Sequence, residues 1–266
     1  MLRRPSPRQP HLVIVSSERP SVSIALDYVS TMVPDMPRNV ITLAIAAEAA
    51  ALSAVAAGLT DADLARASPC PPWTVGELLC HVLIAMDRIG QAVGEPEVTG
   101  PGLIATADYY RPDQRFSADT NADRIDTATV LARRLASAGA AGIAAELDRR
   151  CAVSIGLLDA APADRTVRTR HGDRMLLTDF ARTRVVELAL HGLDLAAGLG
   201  RPPWLSSEAA AVLAELLLPA GSAAKLRAQL GCDQVGLIAA LTGRAELSAA
   251  QAQLLRAAGV TVLTLG

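Results

Sequence analysis

The stretch RVVELALHGLDL, residues 184–195, decides how this chain is read. From Val185 to Leu199 every residue is apolar or glycine except Glu187, His191 and Asp194. Their spacing of i, i+4 and i+7 sets them on one narrow stripe of a helix at about 100° per residue, with Arg184 beside them. A carboxylate in so apolar a helix needs a counter-charge, because burying it unpaired is costly, and coordination to a cation removes that cost. Glu187 and His191, one turn apart, can chelate a single ion, and helical bundles build metal sites in this way from facing helices. The competing account is that the three residues form the solvent face of an amphipathic helix.

A second stretch, WTVGELLCHV at residues 73–82, supplies the facing helix. Pro69, Pro71 and Pro72 hold the chain extended before it, and Thr74 with Glu77 forms a Thr-x-x-Glu capping box that opens it. Apolar residues then recur at three- and four-residue steps through Val75, Leu78, Val82, Met86, Ile89 and Val93, until Gly94 and Pro96 end the pattern. His81 lies among Leu78, Leu79, Val82 and Leu83. With Glu187 and His191 it completes a two-histidine, one-glutamate set with an open fourth position, the ligand pattern of a catalytic zinc. Asp194 is then placed to accept the remaining ring N–H of a histidine. The plainer account of His81 is a hydrogen-bonded core histidine. Trp73 reads as a core anchor where the helix begins, and Cys80, about 100° round from His81, as an ordinary buried thiol.

The rest of the chain reads as further helices. A first helix is expected from Arg38 to Ala57, closed by Gly58, followed by a short turn that Thr60 and Asp63 would cap. Residues 95–120 lack periodicity and read as a loop over the bundle with a helical turn near Tyr109. A third long helix is expected from Asn121 to about Val153, weakened midway by Gly139 and Gly142. Thr166 to Arg170 reads as a short strand before a turn, and the metal-bearing helix should run from Leu177 to Leu199. Beyond Pro203 the pattern changes to short helices and a β-rich tail, Val260 to Leu265. The expected fold is therefore mainly α: a four-helix bundle over residues 37–200, a small α+β domain over 203–266, and a flexible extension over 1–36.

Composition narrows the function. The 266 residues are 51% hydrophobic, with two Trp, three Tyr and two Phe, so Ala, Leu, Val and Ile must build the core. A net charge of −2 offers no field for a phosphate backbone, which argues against nucleic acid as a partner. Four scattered cysteines form no C-x-x-C pair, so neither a zinc ribbon nor a disulfide framework is expected and a reducing cytoplasm fits. No signal peptide is legible, since the longest apolar run near the start is Leu12 to Val15. Apolar stretches elsewhere are broken before the roughly 20 residues of a membrane span, so no membrane association is expected. Lys225 is the only lysine among 25 basic residues, a bias that hints at an actinobacterial, GC-rich genome.

Residues 73–82 resemble the W-T-V-x-x-L-x-x-H opening of the metal-binding domain of the mycothiol-dependent maleylpyruvate isomerase family, a branch of the DinB-like four-helix bundles. Residues 184–195 are similar to that family's R-x-x-E-x-x-x-H-x-x-D-L segment, and two such motifs in order are more specific than either alone. The resemblance covers about residues 37–200. It implies zinc on His81, Glu187 and His191, and mycothiol as a thiol cosubstrate beside it, because a divalent cation lowers a thiol pKa. Thiolate addition to an activated double bond, rotation and expulsion would isomerise cis to trans, and addition without expulsion would be S-transfer to a small-molecule electrophile. Residues 203–266 are shorter than the second domain of fuller family members, which leaves the acceptor open. Arg182 and Arg184 are candidate anion-binding groups. From a different class, the same ligand set would suit a noncatalytic zinc-binding module acting as a sensor or interaction platform.

Overall fold

In a computed structural model, residues 38–111, 113–162, 164–260 and 262–263 are described. The extension assigned to residues 1–36 lies outside them. Four long helices form the bundle. The first, α1 (Arg38–Ala57), is followed by the single capped turn α2 (Asp61–Leu64), where Thr60 and Asp63 cap each other as expected. The second long helix, α3 (Val75–Gly94), opens on the reciprocal Thr74–Glu77 capping box: the Thr74 hydroxyl accepts from the Glu77 N–H, and the Glu77 carboxylate accepts from the Thr74 N–H. After a loop with the turn α4 (Thr106–Tyr109) come α5 (Ala118–Leu135), α6 (Gly139–Ala160) and α7 (Leu177–Leu199). The short helices α8 (Ser207–Leu217), α9 (Ala223–Leu230), α10 (Gln234–Leu241) and α11 (Ala249–Ala257) complete the described chain.

One expected helix is two. The run from Asn121 to Val153 breaks at a 3₁₀ turn, Ala136–Ala138, and Gly139 sits at φ +59°, outside the right-handed helical region. Glycine enters that region without steric cost, so the chain reverses there. As a result α6, not one continuous helix, packs against α1 and α3 as the fourth bundle member, and α5 folds back across α3. That reversal brings Ile125 and Arg124 of α5 over the face of α3 that carries His81.

The core is aliphatic, as composition dictated: Ile41, Ile45, Leu52, Leu78, Leu79, Leu83, Met86 and Leu147 are fully buried. Only short strands occur among the described residues. β1 (Leu103–Ile104), β2 (Thr166–Arg168) and β3 (Arg174–Leu176) form a sheet in the order β1-β3-β2. β2 and β3 are an antiparallel hairpin with Val167 opposite Met175, both buried, and β1 lies parallel to β3. The sheet thus belongs to the bundle half of the chain. The tail expected to be β-rich is irregular at Val260 and Leu263, the latter donating its N–H to the Leu241 carbonyl. The other tail positions are not described.

By length and composition α1 could cross a membrane over Asn39–Ala57, contrary to the expectation that charges interrupt every apolar run. Half of that stretch is buried against α6, α7 and α8, as a core helix of a bundle would be. Its one charged residue, Glu48, is wholly buried and accepts a hydrogen bond from the Ser206 N–H at 2.7 Å. Burial raises the Glu48 pKa, partly offset by that bond, and the contact ties the start of α8 to the middle of α1.

Candidate metal centre

α3 and α7 lie side by side, and their polar residues meet. Glu187 Oε2 is 3.3 Å from His81 Nε2 and 3.3 Å from His191 Nε2, although His81 is 106 residues away in sequence. The two imidazole rings stand edge to face, with centroids 5.0 Å apart. These contacts exclude the solvated-stripe account of α7: His191 and Asp194 are 8% and 4% exposed, and the Glu187 side chain 18%. For His81 the contact with Glu187 fits both a hydrogen-bonded core histidine and a metal ligand.

The three donor atoms suit one cation. Ligands about 2.1 Å from a tetrahedral ion stand about 3.4 Å apart, close to the spacing seen here. His81, Glu187 and His191 each offer a ligand atom within 4.8 Å of the others. Burial would raise the Glu187 pKa, but hydrogen bonds with His191 and His81 and the nearby Arg184 hold it well below the usual carboxylate range. Burial would lower the His191 pKa, but Asp194, Cys70 and Glu187 push it well above that of a free imidazole. Burial lowers the His81 pKa, partly offset by its hydrogen bond with Glu187.

Asp194 sits behind His191, not in front of it. Its Oδ2 is 3.0 Å from His191 Nδ1, which leaves His191 Nε2 directed at Glu187. This is the orienting role that the spacing of α7 suggests. Two further partners were not legible in the sequence. Arg244, just beyond α10, clamps Asp194 with Nε to Oδ1 at 2.8 Å and Nη2 to Oδ2 at 2.7 Å. The Cys70 thiol donates to Asp194 Oδ2 at 3.3 Å. Cys70 reaches α7 because Gly198 allows it: a Cβ on Gly198 would lie 3.2 Å from Pro69 Cδ. Cys80 is the buried thiol expected, its pKa pushed up to about 12 by burial.

Trp73 does more than anchor the start of α3. It is 9% exposed and its ring stacks on His81 at 4.6 Å and 28°, so it limits rotation of that imidazole. Arg184 is buried at 4% exposure with its guanidinium over the Phe180 ring, 4.9 Å from the centroid. Among the described residues its Nη2 has no hydrogen-bond partner, and it stands 4.0 Å from Glu187 Oε1. Arg182, the other basic candidate, pairs with Asp179 at 3.2 Å instead. The donor triad opens on a cavity of about 1090 Å³ lined by residues of α3, α5, α7, α10, the 69–73 loop and the β2–β3 turn.

The clamp on Asp194 has a stability consequence. Burial would raise the Asp194 pKa, but His191 and Arg244 hold it at about 2, below the roughly 3.9 of an unfolded aspartate. The bonus is complete above about pH 4 and is lost as pH falls through 2, with a magnitude of about 2 kcal/mol. Urea unfolding of the metal-free protein between pH 5 and 2 should therefore lose more stability in the parent than in Asp194→Asn. Identical pH slopes would contradict the clamp.

A mainly helical bundle with a convergent two-histidine, one-glutamate triad at a cavity is the class that fold and site define. Residues 45–196 match the family described as "Mycothiol maleylpyruvate isomerase N-terminal domain", and the chain belongs to that family. The fold is similar to that of a mycothiol-dependent maleylpyruvate isomerase crystal structure, at 14% identity and TM-score 0.50, covering 79% of this chain and 91% of that one. A mutant of a mycothiol-dependent maleylpyruvate isomerase is also similar, at 13% identity and TM-score 0.46, covering 74% and 73%. Comparison with curated proteins finds no match.

Proposed function

We propose that His81, Glu187 and His191 hold one divalent ion, zinc by donor type, and that the chain is a cytoplasmic mycothiol-dependent enzyme of the maleylpyruvate isomerase kind. The observation that carries this reading is the convergence of three donor atoms, with both imidazole Nε2 atoms 3.3 Å from Glu187 Oε2 and all within 4.8 Å of one another, on the wall of a cavity large enough for a thiol and an acceptor together. Nitrogen and oxygen donors without a thiolate suit zinc or a similar first-row ion. When bound, such an ion lowers the pKa of a thiol and makes a nucleophile available at neutral pH.

The chain's own residues prepare that chemistry. Asp194 fixes the ring of His191 by its Nδ1, and Trp73 fixes the ring of His81 by stacking, so both Nε2 atoms are held ready. Arg184 places a buried positive charge beside Glu187, which keeps that carboxylate ionised. The aliphatic walls, Ile84, Ile125 and Leu193 among them, limit water near the reacting groups. Addition of the thiolate to an electron-poor double bond, rotation about the resulting single bond and expulsion of the thiolate turn cis into trans. If expulsion does not follow, the product is the S-adduct. In this reading residues 37–200 form the metal-holding unit, and residues 203–266 a second unit that delivers Arg244 to it.

The test combines metal, thiol and acceptor. Protein loaded with zinc should isomerise maleylpyruvate, or form a mass-detectable S-adduct with a related activated alkene, only when mycothiol is present. Stoichiometric metal with no thiol-dependent turnover of any such acceptor would instead assign a noncatalytic zinc-binding module.

A further inference from the structure

The cavity has a second polar end that the metal triad does not use. Arg88 lies on α3 seven residues after His81, about 10 Å further along the helix at 1.5 Å per residue, and on the same cavity-lining face. Arg124 reaches in from α5, and Arg170 and His171 from the turn between β2 and β3. These groups are short of negative charge. Among the described residues neither Arg88 nor Arg124 has a carboxylate within ion-pair distance. Arg88 donates to the Gln91 side-chain oxygen at 2.7 Å, and Arg124 to Asn121 Oδ1 and the Arg115 carbonyl. Among the described residues Arg170 pairs only with Asp123 at 3.1 Å, a carboxylate whose side chain is 65% exposed and therefore weakly attracting.

The surroundings make that excess charge consequential. Arg88 and Arg124 are partly desolvated and feel Arg170 and Arg184 as like charges, so their pKa values fall below the normal guanidinium range. His171 is held down to about 4 by burial and by Arg170, Arg124 and Arg115, so it is neutral at pH 7. Among the described residues its buried Nε2 has no hydrogen-bond partner, and neither has Nη2 of the 96%-buried Arg184 on the same wall. Several cationic side chains thus line one hollow together with these two unpartnered nitrogens. Folding alone gives no reason to gather like charges there, whereas a bound oxyanion would relieve them.

The geometry points to an oxyanion subsite formed by Arg88, Arg124 and Arg170, with His171 at its edge, which takes a carboxylate or phosphate group of the molecule occupying the cavity. Its far member, Arg88, lies about two turns of α3 from His81, while Arg124 is near enough to the triad to feel Glu187 and His81. An acceptor filling both ends therefore carries its anionic group several bonds from the carbon that reacts. This assignment of an end to the acceptor rests on the proposed thiol chemistry, but anion binding itself does not.

The test is a binding measurement without thiol or turnover. Zinc-loaded full-length protein is titrated calorimetrically with succinate and, separately, with inorganic phosphate at constant ionic strength, which removes simple screening effects. Saturable binding of one of them is expected, weakened about tenfold or more in Arg88→Met and Arg124→Met and partly restored in Arg88→Lys, with zinc content and helical signal unchanged. Arg170→Met, on an exposed turn, tests the same point where misfolding is not a concern. Tighter succinate identifies a carboxylate site and tighter phosphate a phosphate site. Binding of neither, or equal binding by parent and the folded variants, overturns the subsite. Failure of the isomerase assay with intact anion binding would refute the proposed reaction and leave this site standing.

Discussion

Replacing His191 by alanine should give protein that no longer retains zinc. In the parent, the metal should be near one equivalent by mass spectrometry after dialysis; in His191→Ala it should fall to a trace, while far-ultraviolet dichroism retains its helical signal. The physical reason is that His191 holds two places in the site. Its Nε2 faces Glu187, and its Nδ1 engages Asp194. Loss of a residue that merely orients a ligand costs roughly 10–100-fold in metal affinity, and loss of the ligand itself must cost more. The helix does not depend on it, because α7 is held by buried Val185, Val186, Leu188, Ala189, Leu190 and Leu195. A second readout is thermal. An ion present at 1,000 times its dissociation constant stabilises by about 4 kcal/mol, on the order of 10 °C in a chain of this size. That zinc-dependent rise should vanish in the variant. Full zinc retention by a folded His191→Ala protein would end the metal assignment.

Arg244→Leu should destabilise the protein by about 3–5 kcal/mol, the usual penalty for leaving a buried charge without its partner. Asp194 is 4% exposed, and Arg244 gives it two of its hydrogen bonds. Removing both partners should be far less harmful than removing one, since no orphaned carboxylate remains, so Asp194→Leu with Arg244→Leu should recover part of the loss. Urea unfolding of the two singles and the double measures that coupling directly. A loss below about 1 kcal/mol for Arg244→Leu would mean that the C-terminal residues do not brace the histidine. Zinc affinity should fall alongside stability, because a loosened Asp194 no longer fixes the His191 ring.

Much of this was legible before any coordinates. The capping box of Thr74 and Glu77 gives the start of α3, and the unbroken apolar run with its glycine stop gives α7, because caps and helical periodicity act within one or two turns. The stripe of Glu187, His191 and Asp194 was readable for the same reason, and the two motifs identified its distant partner, His81. The break at Ala136–Ala138 was not, since Gly139 is equally compatible with a weakened helix and with a reversal, and packing against α3 selects between them.

The amino-acid order by itself determined the helices, the aliphatic core and which side chains on α3 and α7 carry charge or imidazole. Tertiary structure alone decided that Arg244 and Cys70 meet Asp194 across 50 and 124 residues of chain, that Trp73 covers His81, and that Arg88, Arg124 and Arg170 line the same cavity. An arginine on a loop carries no local mark of whether it faces water or a buried carboxylate. Periodicity encodes one face of one helix, whereas the meeting of groups from five elements depends on how the whole chain closes.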